Sequence, residues 1–339
     1  MATNAVPKPQ GPPPPRHTTP TVKTNLPPVV RPANPIRPAL IIPTWASLNR
    51  WAADRKIGAP YLLSKAPVAS YAIGSANGVM VLETGSREAF WNGIQMNLGF
   101  DPQFIDNQIF LHELDLLKNL EPLLCEPPLT FGTNRVIVID PGHGGSNSGT
   151  HSVLDGRPEK DFTLDWARRL APLMETNGWR VFLTRTEDVY VSNSDRVVFA
   201  TAHHANLFIS LHFNSGAPDE RPHGLETYCL TPTGMRSDLI RGYNDFWSDH
   251  FPGNTFDTEN LQLAVRLHSA LLRATDLEDR GVERARFIEV LRGQQCPAVL
   301  IEGGYLSNPH EAKLIESPEF RQKLAEAVAA ALRQSENGK

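Results

Sequence analysis

His143, Glu159, His212 and Glu302 are the residues of this 339-residue chain whose types and placement could do chemistry. His143 follows directly on "VIVIDPG", His212 closes "LFISLH", and Glu302 closes "PAVLIE". Each run is apolar and rich in β-branched residues, as in strands buried on both faces. Glu159 stands just ahead of "DFTLDWARRL", whose apolar residues recur at helical spacing. In open α/β sheets functional groups collect beyond the carboxyl ends of the strands, so the four side chains are expected on one sheet edge. Two imidazoles and a carboxylate suit a zinc ion and leave a fourth position for water, as in a catalytic site. The glycines around His143 let the backbone turn sharply after its strand and approach a metal without a Cβ clash. The chemistry such a set supports is metal-assisted hydrolysis.

The elements that must position these residues are legible as an alternation. "RVIVID", "WRVFLTR", "LFISLHFN", "GLETYCL", "RFIEVLR" and "PAVLIEGGYL" read as strands. Helices are expected in "DFTLDWARRLAPLMETNG", "SNSDRVVFATAHHA" and "NLQLAVRLHSALLRAT", and in a terminal stretch from His310. Residues 135–339 are therefore expected to form an α/β domain, a largely parallel sheet flanked by helices. Upstream lies a small α+β module, 44–124. It opens with a short helix in "TWASLNRWAADRKIG", where Trp45, Leu48, Trp51 and Ala52 fall at helical spacing, and continues through short strands with hairpin signals at Asn77-Gly78 and Asn92-Gly93, before "ELDLLKNLEPLL" closes it as a helix. Residues 125–134 read as a linker. Residues 1–43 hold 13 of the 29 prolines and no acidic residue, a composition that favours a disordered, extended tail.

A formal net charge of −4 gives no general attraction to nucleic acid, and no run reaches the roughly 20 apolar residues of a membrane span. Cys229 and Cys296 sit in or beside apolar runs and are expected as buried free thiols; Cys125 shares no metal-type spacing with them. His112 has no second ligand near it in sequence, so no metal is expected in the module. His203 and His204 fall inside a predicted helix and His223 in a loop, and none is expected to touch substrate. Arg185 and Asp188 are expected to pair locally and fix their loop.

Residues 135–335 resemble the zinc-dependent N-acetylmuramoyl-L-alanine amidases of the amidase-3 type, through "VIVIDPGHGG", "EKDFTLDWARRL", "VFLTRTEDVYVSNSDRV", "ANLFISLHFNS", "GLETYCL", "DRGVERARFIEVLR" and "PAVLIEGGYLSNPHEAKLI". The resemblance implies zinc ligands at His143, Glu159 and His212, and Glu302 as the catalytic carboxylate. It also implies a peptidoglycan substrate, cut between N-acetylmuramic acid and L-alanine of the stem peptide. Alternatives from the residues themselves are a zinc peptidase or carboxypeptidase acting on another amide, or an inactive wall-binding protein. In some members of that family an inserted helix covers the zinc until a partner removes it. Residues 231–260 are long enough for such a lid, with Tyr243, Phe246 and Trp247 as its apolar face, or for a substrate loop. The substrate implies the periplasm or cell envelope, although the sequence shows no secretory signal. The module's "NGIQMNLGFDPQFIDNQIFLHELDLLKNL" is similar to copper-amine-oxidase-N-terminal-like domains.

Overall fold

The structure, a computed structural model, describes residues 45–65, 68–133, 135–242 and 244–333. The expected tail, 1–43, and Tyr243 lie outside the described residues. In chain order the elements begin with β1 (Trp45–Ser47), α1 (Leu48–Asp54), β2 (Tyr61–Ser64), β3 (Ser70–Ser75), β4 (Gly78–Glu83), β5 (Glu88–Trp91), β6 (Ile94–Asn97), β7 (Gln103–Ile105), β8 (Gln108–His112) and α2 (Glu113–Asp115). Helix α2 runs on as a wide helix over Leu116–Cys125, with Pro122 inside it. There follow β9 (Val136–Pro141), α3 (Glu159–Thr176), β10 (Arg180–Leu183), α4 (Asn193–Ala202), β11 (Leu207–Asn214) and β12 (Leu225–Cys229). The chain closes with α5 (Asp257–Ala274), β13 (Asp279–Arg284), α6 (Glu289–Arg292), β14 (Ala298–Tyr305), α7 (Pro309–Glu316) and α8 (Pro318–Ala331).

One 11-stranded sheet runs in the order β10-β9-β11-β14-β12-β13-β6-β5-β4-β3-β2. Strands β10, β9, β11 and β14 are parallel. Strand β12 turns against β14, is parallel to β13, and the module's hairpins then continue antiparallel from β6. A second sheet has the order β1-β8-β7. Alternation along the strands explains why the central sheet is buried on both faces. Ile137, Ile139, Leu211 and Ile301 join the core formed with α3, α5 and α8. Val138, Phe208 and Leu300 face the other way, toward Ala200 of α4 and Leu291 of α6. Asp140, His212 and Glu302 each follow a residue of the first face, so they emerge on the second.

Three expected elements differ, the first being the opening helix, which starts only at Leu48 because Trp45–Ser47 pair with β8 as strand β1. "RFIEVLR" is not a strand: Val290 and Leu291 are buried in the short helix α6, and the neighbour of β12 is instead "DRGVER", β13. Short apolar runs do not distinguish strand from helix, and here the ladder went to the segment containing Gly281. Helix α4 ends before His203, which becomes its C-cap. The hairpins are present, with Asn92 and Gly93 both at positive φ, while Gly78 already begins β4. Cys229 and Cys296 are buried free thiols, and Cys125 is half-buried and free.

Contacts cross from 45–133 to the rest of the chain at buried polar groups. Asp238 pairs with Arg87 and accepts from the Arg284 backbone N–H (2.8 Å). Arg284 itself donates to the Lys118 carbonyl (2.8 Å) and to Asn119 (2.7 Å). Arg87→Ala would leave Asp238 buried without its cation. Such loss costs about 3–5 kcal/mol. Urea denaturation should show a drop of that order, and adding Asp238→Asn should recover part of it.

Candidate metal centre

Strand β9 delivers His143 through a turn that many groups hold in place. The buried Asp140 carboxylate accepts from Thr184 Oγ1 (2.5 Å), Ser210 Oγ (2.7 Å) and Arg196. Arg196 also donates to the carbonyls of Pro141 (2.9 Å) and His143 (2.7 Å). His143 itself sits at φ 61°, a left-handed conformation uncommon for a residue with a side chain. Gly142 makes room for the site, because a Cβ there would overlap the His212 imidazole. A Cβ on Gly149 would likewise overlap the Glu159 carboxylate.

Glu159, the first residue of α3, bridges the two imidazoles: Oε2 is 2.9 Å from His143 Nε2, and Oε1 is 3.0 Å from His212 Nδ1. The three donor atoms lie within 4.8 Å of one another. The far nitrogen of His143, Nδ1, is 3.0 Å from Asn147 Oδ1, which orients the ring. Glu159 also accepts from the backbone N–H groups of Thr150 (3.1 Å) and Phe213 (3.0 Å). Burial would raise its pKa, but the hydrogen bonds and charges of the two histidines outweigh that and hold it below the usual carboxylate range. For His143 burial opposes protonation, while Glu159 outweighs it and raises the pKa. Two imidazole nitrogens and a carboxylate oxygen converging at one point fit zinc with an open position.

Glu302 is directly opposite His212 in the β11–β14 register and opposite Glu226 in the β12–β14 register. Its Oε2 is buried and has no hydrogen-bond partner among the described residues. Burial pushes its pKa up to about 8; the His212 charge opposes this, and those of Glu159 and Glu226 add to it. Glu226 has the opposite surroundings. It accepts from Arg280 Nε (2.6 Å), Asn214 Nδ2 (2.8 Å) and the hydroxyls of Tyr228 and Tyr305 (both 2.5 Å). Glu302, His143 and His212 open on a cavity of about 440 Å³. Sequence reasoning passed over Asp140, Arg196 and Glu226. The only signal was their place in the quoted motifs, since their partners come from distant segments.

The remaining expectations resolve by location. His203 is stacked among Phe182 and Phe199, and the exposed His223 faces Glu278 (2.7 Å). The expected Arg185–Asp188 pair does not form. Arg185 instead donates to the carbonyls of Pro141, Gly142 and Lys160, while Asp188 accepts from the Gly145 N–H and Lys160. The backbone carbonyls of the glycine turn are nearer to the guanidinium fork, so both residues fix the loop through other partners. His112 stacks on Phe100 at 3.5 Å and accepts from the Leu114 N–H. Among the described residues of 231–260 the helical stretches are a short 3-10 helix, Pro252–Phe256, and the first turn of α5. Neither Phe246 nor Trp247 lines the cavity, and Trp247 is edge-on to Phe100 of the module.

Residues 137–334 match the profile of the N-acetylmuramoyl-L-alanine amidase family. The chain is 30% identical over 243 residues to N-acetylmuramoyl-L-alanine amidase AmiC of Escherichia coli, covering 65% of this chain and 58% of that protein. It is 31% identical over 219 residues to AmiA of Escherichia coli, covering 58% and 75%. The chain thus spans little more than half the length of AmiC. The crystal structure of an N-acetylmuramoyl-L-alanine amidase from Clostridium difficile 630 superimposes with a TM-score of 0.50 at 29% identity, over 59% of this chain and 96% of that one. The family profile begins at Ile137 and leaves residues 45–133 outside it.

Two consequences are measurable. Gly142→Ala should displace His212 and weaken zinc binding at least about tenfold, read by competition with a chelating dye. In chelator-treated protein, the fold holds the Glu302 proton more tightly than the unfolded chain does. Its ionisation therefore costs stability as pH rises from about 4 to about 8. Glu302→Gln should be more stable than wild type above pH 8, and the gap should close below pH 4 in denaturation curves.

Proposed function

We propose that this chain, which belongs to the N-acetylmuramoyl-L-alanine amidase family, hydrolyses the amide between N-acetylmuramic acid and L-alanine of the peptidoglycan stem peptide. We place this action in the cell envelope, where that polymer lies. The observation that carries the reading is the convergence of His143, Glu159 and His212 beside a buried carboxylate oxygen of Glu302 that has no partner among the described residues.

His143, Glu159 and His212 would hold the zinc. Bound there, zinc supplies Lewis acidity, making water a nucleophile near neutral pH and polarising the amide carbonyl. Glu302, with its pKa raised by burial, takes the proton from the attacking water and hands it to the departing L-alanine nitrogen. With a cation held by His143, Glu159 and His212, Glu302 would hold its proton less tightly than burial alone dictates, nearer the range in which a base works at neutral pH. Asn147 keeps the His143 ring turned, and Arg196 holds the His143 carbonyl, so little reorganises during the reaction. Of the described residues in 231–260, Arg241 lines the cavity. A protein activator, if one acts on them, would have to work against the buried anchors at Asp238 and Asp245.

Mass spectrometry of digests of purified peptidoglycan tests the reading. Free stem peptides beginning with L-alanine are expected. Shortened stems would make the protein a carboxypeptidase, and absence of products from zinc-loaded protein would make it a binding module. The His143→Ala/His212→Ala double variant should lose most bound zinc while remaining folded. Glu302→Gln should retain stoichiometric zinc and lose ~10²–10⁴-fold in turnover. Loss of zinc in that variant would make Glu302 a ligand.

A further inference from the structure

Among the described residues, the cavity beside the metal centre carries one cation, Arg241, whose charge is unmatched. Asp140 is paired with Arg196, and Glu289 with Arg292 (3.3 Å) and with Asn193 Nδ2 (2.8 Å). Arg241, exposed on the same cavity, has no hydrogen bond or ion pair with another described residue. Its guanidinium carbon stands 5.9 Å from the centre of the Phe287 ring, which also lines the cavity. Its positive charge is near enough to oppose the upward shift of the Glu302 pKa.

Arg241 is carried on a segment that is pinned at both ends. On one side Asp238 is bonded to the Arg284 backbone through both its N–H (2.8 Å) and its carboxylate, and is paired with Arg87. On the other, Asp245 is paired with Arg286 and accepts from the Ser237 N–H (3.0 Å) and hydroxyl (2.9 Å). Arg241, unmatched among the described residues, lines the cavity on which His143, His212 and Glu302 open. A planar guanidinium with open donors suits a carboxylate, which it can meet with two parallel hydrogen bonds.

We propose that Arg241 is a specificity-determining residue that reads a free carboxylate on the second residue of the stem peptide, one residue beyond the scissile L-alanine bond. The proposal rests on the amidase reading, since it takes the direction of the chain from the bond that is cut. Two extended residues span about 7 Å, and Arg241 lines the same cavity as His143, His212 and Glu302. In peptidoglycan that second residue is a γ-linked D-glutamate whose α-carboxyl is either free or amidated. Arg241 therefore separates two forms of the same polymer: the acid offers it an anion, and the amide offers none.

The test uses two soluble N-acetylmuramoyl tripeptides, L-alanyl-γ-D-glutamyl-L-lysine with the glutamyl α-carboxyl free or amidated. For the zinc-loaded full chain, kcat/KM for the acid should exceed that for the amide about five- to tenfold, as for a partly solvated charge-assisted pair. In Arg241→Gln the ratio should fall to near one, and in Arg241→Lys it should lie between. Dissociation constants measured calorimetrically in the Glu302→Gln background should show the same ratios without turnover. A wild-type ratio near one, or an Arg241→Gln ratio equal to wild type, overturns the proposal while leaving the amidase reading intact. Carboxylate-dependent binding without cleavage of either tripeptide by wild type would sink the amidase reading and leave the anion-reading role of Arg241 standing.

Discussion

The Asp140 carboxylate is the constraint on which the metal centre depends. It sits at the end of β9 and collects Thr184 after β10, Ser210 of β11 and Arg196 of α4. Two neighbouring strands and a helix are thereby tied at the point where the chain leaves the sheet. Arg196 then passes the constraint outward to the Pro141 and His143 carbonyls. A buried ion pair contributes little net stability by itself, because desolvation consumes most of the attraction. What it provides here is direction, since removing either partner leaves an uncompensated charge at the base of the turn. That fixed turn is what allows His143 to persist at positive φ while its ring meets Glu159.

Two glutamates on adjacent strands show how environment divides roles among identical side chains. Glu226 and Glu302 face each other in register, yet Glu226 receives four donors and Glu302 leaves one buried oxygen without any among the described residues. A carboxylate satisfied by an arginine, an amide and two hydroxyls is committed to structure. One that is desolvated and lies beside another negative charge has its proton affinity raised, which is what a proton carrier needs. The Tyr228 hydroxyl, donating to Glu226, has its own pKa driven upward by burial and by the carboxylate, so it stays a donor.

The sheet-edge positions of His143, His212 and Glu302 were legible because each ends a run that can hardly be anything but a buried strand. Glu159 was legible from its place ahead of an amphipathic helix, which the structure starts at that residue. The central parallel order followed from the strand–helix alternation. The reversal of β12 against β14 did not, because both directions require the same apolar pattern in a strand buried on both faces. "RFIEVLR" misled for a related reason: the apolar pairs Phe287-Ile288 and Val290-Leu291 satisfy a short helix as well as a strand. The hub partners Asp140 and Arg196 lie 56 residues apart, and nothing local in either segment announces the other.

Strand β13 joins the hairpins of β2–β6 and the strands that carry His212 and Glu302 into a single hydrogen-bonded surface. Without β6 at its side, β13 would be the sheet's edge, with a row of unpaired backbone groups open to association. Strand β6 covers that edge, and the Gln95 N–H binds Asp279 (3.0 Å), the same carboxylate that holds His268 (2.9 Å) and the Gly281 N–H (2.8 Å). One strand-end further, Arg280 reaches Glu226 and Arg284 holds Asp238. The contacts that seal the edge of the sheet are therefore the neighbours of those that orient the cavity. A change in the module at Arg87 or Gln95 acts on the cavity wall through one or two side chains, by geometry alone, because buried polar groups in a packed interior have few alternative partners.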